Sequence, residues 1–255
     1  MKVLSLFDGI SCGRVAFERE GIPVERYVAY EIDEKAISVS KKNYPDIMHM
    51  GDVRNANFSD YKGFDIVIGG SPCQGFSYIG KKLDFADERS ALFGEYVRAL
   101  EIVRPAWFLY ENTPMKKECS DVISRALGVH PIRINSALVS AQNRVRDYWT
   151  NIPVVFLPCD RRIFLQDILE YGTTKRAKSK TVRVGGVCSG WGDRHEWDMP
   201  NPDRVYTQTE LERLQTLPDG YTDNLDYRSA AKAIGNGWTV DVIAYILSHI
   251  ERKEM

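Results

Sequence analysis

The stretch Lys2-Val3-Leu4-Ser5-Leu6-Phe7-Asp8-Gly9-Ile10-Ser11-Cys12-Gly13 decides the fold. Residues 2–7 are apolar on both faces of an extended chain, so the strand they form must be covered on both sides. Asp8-Gly9 turns the chain, and a helix follows from about residue 13. The glycines let that turn bring backbone close to a ligand just before the helix begins.

The same unit recurs outward from there. Residues 26–32 read as a strand and 34–43 as a helix. A short strand at 47–49 precedes Gly51-Asp52. A strong strand at 64–68 ends in Gly69-Gly70, and a helix from 90 to 103 is closed by Pro105. Strand 107–110, helix 116–127 and strand 131–139 complete the run. This alternation predicts an α/β fold, a mostly parallel sheet with helices on both faces. Past residue 153 the pattern changes. Residues 161–172 read as one helix, and from 173 to 203 periodicity is lost while Lys175, Arg176, Lys178, Lys180 and Arg183 cluster. Gly185, Gly186, Gly190 and Gly192 follow, with Trp191 and Trp197. Helices return at 209–216, 229–234 and 239–252. The expected organisation is a catalytic unit, 1–155 completed by 205–255, and a small loop-rich region at 156–204.

Composition bounds the function. The 255 residues are 44% hydrophobic and 27% charged, with a formal net charge of −1. The chain is therefore no polycation, and nucleic-acid contact needs a local basic face. The five cysteines are widely spaced and form no Cys-x-x-Cys pair, and the four histidines are scattered, so neither a disulfide framework nor a metal site is expected. The first apolar stretch is too short for a signal peptide, and a cytoplasmic location is expected.

Ligands of open α/β sheets sit beyond the carboxyl ends of the strands. There the chain places Glu31-Ile32-Asp33 after the second strand and Asp52-Val53 after the third. Glu31 suits a ribose diol, and Asp52 an adenine amino group. Each also reads as a helix cap, but three carboxylate-bearing strand ends in register favour a nucleoside-bearing cofactor. The fourth strand ends in Ser71-Pro72-Cys73-Gln74, where a cysteine fixed by a preceding proline suits nucleophilic catalysis or, alternatively, is a small buried hydrophobe. The next ends in Glu111-Asn112, placed for proton work. Gln142-Asn143-Arg144-Val145-Arg146, if extended, points both arginines to one side.

Pro72-Cys73-Gln74, Glu111-Asn112 and Gln142-x-Arg144-x-Arg146 resemble, in order and spacing, the motifs of the DNA cytosine-5 methyltransferases. Phe7-x-Gly9-x-x-x-Gly13 resembles that family's motif for S-adenosylmethionine (SAM). Arg204-x-x-Thr207-x-x-Glu210-x-x-x-Leu214-Gln215-x-x-Pro218 and Gly235-Asn236-Gly237-Trp238-Thr239-Val240 resemble its last two motifs. Ser140-Ala141, residues 148–153 and 165–170, and Gly237-Trp238 are similar to the catalytic domains of animal de novo DNA methyltransferases, while the chain's short length suggests a compact bacterial or phage member. Thr113 departs from the family's usual Val.

The resemblance implies a Rossmann-like SAM-dependent methyltransferase fold with a small target-recognition insert. It implies Cys73 as the nucleophile that adds to cytosine C6, Glu111 on N3 and the exocyclic amine, Arg146 on O2, and Arg144 beside them. It assigns Phe7, Asp8, Gly9, Ile10, Gly13, Glu31, Ile32, Asp52, Val53, Pro72, Leu92, Asn236, Trp238 and Val240 to SAM. Gln74, Ser77, Lys81, Lys82, Lys175, Lys178, Lys180 and Arg183 are expected on duplex DNA around a flipped base, with Arg183, Arg194, Trp191 and Trp197 the candidates for base contact. A homodimer is a further expectation. The rival functions are an RNA cytosine-5 methyltransferase, a catalytically inactive DNA-binding relative, and a small-molecule methyltransferase.

Overall fold

Successive residues of β1 (Lys2–Leu6) point to opposite faces of the sheet, and both faces are covered. Val3 joins one core layer; Leu4 and Leu6 join the other. The computed structural model describes residues 1–72, 88–182 and 205–250. The first layer packs β1 and β4 (Ile66–Gly69) against α1 (Cys12–Arg19), α2 (Glu34–Asn43) and α8 (Val240–Leu247), through Phe17, Val39 and Ile243. The second packs Leu4, Val67 and Tyr110 against α3 (Glu88–Val103) and α4 (Lys117–Leu127), through Phe93, Tyr96 and Ile123.

Adding β2 (Arg26–Tyr30), β3 (Met48–His49), β5 (Trp107–Asn112), β6 (Ile132–Asn135) and β7 (Val145–Thr150) gives a seven-stranded sheet of order β3-β2-β1-β4-β5-β7-β6. From β1 to β5 the pairing is parallel, with Leu6 opposite Tyr30 on one side and Gly69 on the other. The strand order reverses between β1 and β4, which opens a crevice at their carboxyl ends. The expected mostly parallel α/β architecture is therefore present.

β7 is the exception. It runs antiparallel between β5 and β6, with Glu111 opposite Tyr148 and Ile134 opposite Arg146. The strand expected to run to residue 139 stops at Asn135, whose side chain accepts from Ala137 N–H and starts a 3₁₀ turn, Ser136–Leu138. That turn sends the chain back as β7, so the arginine stretch is extended from Val145 onward.

Helices α6 (Gln208–Leu214) and α7 (Tyr227–Asn236) form near their expected places. The helix expected at 161–172 does not. Only α5 (Leu165–Ile168) forms, because neighbouring segments take the backbone groups on either side: Arg161 N–H donates to Leu138 C=O and Leu165 N–H to Ala177 C=O. The last helix ends at Leu247 rather than 252; His249 and Ile250 then donate to carbonyls three residues back. No helix among the described residues is long and apolar enough to cross a membrane.

Lys178 needs correction. Its ammonium donates to Ala137 C=O at 2.7 Å, Ser140 C=O at 2.9 Å and Ile163 C=O at 2.6 Å. An ammonium has three donors, so none is left for a phosphate. Burial lowers its pKa. Lys178→Ala should therefore lower unfolding stability by about 1–3 kcal/mol in urea titration, through the carbonyls left unpaired, and leave the salt slope of DNA binding unchanged. Lys175→Ala, on an exposed side chain, should flatten that slope by about one unit.

Candidate active site

The loop after β1 is built on left-handed backbone: Phe7, Gly9 and Ser11 have φ of 59°, 60° and 61°. Asp8 holds this shape from inside. Its carboxylate accepts from Ser5 Oγ at 2.5 Å, from Tyr27 OH at 2.7 Å, and from Ser11 Oγ. Burial raises its pKa. Asp8 thus supports the loop. Ile10, Val53 and Val240 also depart from expectation: each is at most 4% exposed and packed in the core, so only their backbone can border a ligand.

Glu31 faces the same loop. Its Oε2 accepts from Gly9 N–H at 2.8 Å, and its Oε1 from Ile32 N–H at 2.7 Å and Asp33 N–H at 2.9 Å. A carboxylate has about four lone-pair sites, so one remains for a hydroxyl. Asp33 caps α2 through Lys35 N–H and Ala36 N–H. Asp52 caps the 3₁₀ turn Val53–Asn55 and is gripped by Arg54, whose Nε lies 2.9 Å and Nη2 2.5 Å from Oδ2; this pairing holds its carboxyl below the usual range. The capping reading is realised at both residues.

SAM would bring an adenosine and a sulfonium-bearing amino acid. The edge offers an apolar side chain beside an acceptor, Ile32 with 69% of its surface exposed next to Glu31. Phe7 and Leu92 are half-buried alongside, Asn236 is exposed and Trp238 half-buried. Open space surrounds the Cβ position of Gly9. This acceptor and apolar set fits a nucleoside.

The chemical end lies one strand over. Pro72 is exposed and follows Ser71, whose Oγ meets Tyr110 OH at 2.6 Å. Asn112 Nδ2 donates to Ser71 C=O and to Tyr110 OH, each at 3.2 Å. Ser71, two residues before Cys73, is thereby fixed from β5. Cys73, Gln74, Ser77, Lys81, Lys82, Arg183, Trp191, Arg194 and Trp197 lie outside the described residues.

Glu111 is held at both oxygens. Arg146 Nε lies 3.1 Å from Oε1, and Trp238 Nε1 donates to Oε2 at 3.2 Å. Gly70 makes the room: a Cβ there would sit 2.8 Å from Glu111 C=O and 3.0 Å from Oε2. The two arginines do different work. Arg144, 3% exposed, donates to Val182, Gly235 and Gly237 carbonyls at 3.0, 3.2 and 2.9 Å. Burial lowers its pKa to about 10, which leaves it cationic at neutral pH.

Sequence reasoning gave Gln142 and Gln215 no role, though both stand in the motifs. Gln142 donates to Leu214 C=O and accepts from Val182 N–H; Gln215 donates to Ile234 and Gly237 carbonyls and accepts from Thr239 Oγ1. Nothing in the spacing distinguishes these glutamines from surface ones.

Residues 1–121, which carry both strand ends of this site, match the family described as C-5 cytosine-specific DNA methylase. They make up 121 of the 255 residues of the chain. Among curated methylases it is 36% identical over 138 residues to the type II methyltransferase M.NgoBV of Neisseria gonorrhoeae, covering 51% of this chain and 33% of the relative. It is 37% identical over 158 residues to M1.ScrFI of Lactococcus lactis subsp. cremoris (58% and 40%), and 32% over 161 residues to the orphan methyltransferase M.SPRI of Bacillus phage SPR (58% and 37%). The matched segments thus span about a third to two fifths of these relatives' length. The fold of this chain matches the Dnmt2 methyltransferase of S. pombe with a TM-score of 0.74 at 19% identity, over 97% of both chains. A DNA modification methyltransferase described as putative, from an E. coli prophage, gives 0.73 at 20% over 98% of both.

Proposed function

We propose that this chain is a DNA cytosine-5 methyltransferase that acts on duplex DNA with SAM as methyl donor. One observation carries the reading: Glu111, fixed between Arg146 and Trp238, stands beside the Ser71-Pro72 approach to Cys73. A cytosine flipped out of the helix has its N3 and exocyclic amine read by Glu111 and its O2 by Arg146. Cys73 thiolate adds to C6, the C5–C6 π electrons move to C5, and C5 becomes nucleophilic. SAM, when bound, supplies an electrophilic methyl group to that carbon. A base then takes the C5 proton, the C5–C6 double bond re-forms, and Cys73 leaves as thiolate. Neighbouring positive charge favours the thiolate, and Arg144 or Arg146 supplies it in this reading.

In this reading SAM lies at the ends of β1 and β2, with Ile32 and Phe7 against adenine and Glu31 on the ribose. Residues 1–155 and 205–255 form the catalytic unit and 156–204 the target-recognition region, in a bacterial or phage-infected cell. Pairing of two copies is part of the same proposal.

The test is base-resolution methylation sequencing of DNA from a methylation-free bacterial host that expresses the chain, beside Cys73→Ala. New 5-methylcytosine with the intact chain alone is the expected result. Its absence from soluble, SAM-binding protein rejects duplex DNA as the substrate.

A further inference from the structure

We propose that Trp238 is a positioning residue for Glu111, and that its indole N–H couples the cofactor end of the site to the base end; this rests on the methyltransferase reading above. The hydrogen bond itself is the first support. With Arg146 on Oε1 at 3.1 Å and the indole on Oε2 at 3.2 Å, the Glu111 carboxylate cannot rotate without breaking one contact.

The slot around the ring is the second. A Cβ on Gly13 would come within 3.6 Å of Trp238 Cζ3, and one on Gly70 within 3.5 Å of its Nε1. The ring therefore spans from the first turn of α1 to the end of β4. Its six-membered ring borders Gly13, assigned to SAM, and its N–H meets the carboxylate assigned to cytosine.

The third support is the backbone that carries the ring. Gly237 C=O accepts from both Arg144 and Gln215, Gly235 C=O from Arg144, and Ile234 C=O from Gln215. Hydrogen bonds from a buried cation are among the stronger ones, so the segment is anchored on the side away from Glu111. Packing against a cofactor needs only an aromatic face. An N–H aimed at Glu111 Oε2 serves the carboxylate. A ligand that settles the ring also settles Glu111, and by linkage a base bound to Glu111 settles the ring.

The test compares the full chain with Trp238→Phe, which keeps an aromatic ring and removes the N–H. SAM affinity is measured by calorimetry without DNA, and kcat by transfer of tritiated methyl groups to plasmid DNA. The expected result is a tenfold or greater fall in kcat beyond any change in SAM Kd, equivalent to about 1.4 kcal/mol. A smaller excess, or losses in SAM affinity and kcat of the same size, overturns the proposal and leaves Trp238 as packing alone. If Trp238→Phe does not fold, the benzothiophene isostere of tryptophan at position 238 keeps the shape, replaces N–H by sulfur, and must show the same excess. Wild-type protein that methylates no DNA sinks the underlying reading and this inference with it. An active wild type matched by Trp238→Phe sinks the inference alone.

Discussion

Glu111→Gln is expected to fold, to bind SAM like the wild type, and to lose about two to four orders of magnitude in methyl transfer, the usual range for a positioned acid–base group. The amide is nearly isosteric, and Gly70 leaves the space it needs. It cannot balance Arg146, which lies 3.1 Å from Oε1, nor share a proton with N3 of a cytosine. The measurements are single-turnover methyl transfer to plasmid DNA and calorimetric SAM titration. A loss of less than tenfold would remove Glu111 from the chemistry. An equal loss of SAM affinity would show that it shapes the cofactor pocket instead.

Arg144→Ala has its large effect on stability. The guanidinium is 3% exposed and bonds three carbonyls from two distant segments, at Val182 and at Gly235 and Gly237. Its removal leaves those acceptors unpaired and a cavity where the side chain was. Unsatisfied buried groups cost about 1–3 kcal/mol each, and partial relaxation brings the total to about 3–5 kcal/mol, the range seen when a buried charged contact is broken. Urea unfolding followed by far-UV circular dichroism reads this directly. Stability within 1 kcal/mol of wild type would mean that water enters and satisfies the three carbonyls. Arg144→Lys should recover part of the loss, because an ammonium still donates but cannot match a planar fork.

The strand-and-glycine rhythm of the first half was readable because each unit is local. Helix α2 occupies the expected residues 34–43, and the strand ends at Leu6, Tyr30, Gly69 and Asn112 fall within two residues of their expected places. β7 was not readable as an antiparallel member, since its neighbours β5 and β6 are set by tertiary pairing. The 161–172 stretch has helical periodicity but loses its backbone groups to Leu138 and Ala177, which no local pattern announces. At the site, residue type indicated carboxylates at the sheet edge. It could not say that Ser5, Ser11 and Tyr27 surround Asp8, or that Arg54 occupies Asp52. Nor could it tell that three carbonyls consume Lys178.

The bond between Trp238 and Glu111 joins residues 127 apart in sequence. Synthesis delivers the chain from its amino end, so β5, β6 and β7 can pair while α7 and α8 are still inside the ribosome. At that stage Glu111 has Arg146 alone, and the carbonyls that Arg144 will bond in the Gly235–Gly237 segment have not emerged. A nascent or prematurely terminated chain can thus hold most of the sheet and still lack a finished carboxylate. The setting of Glu111 is complete only when this closing segment has emerged.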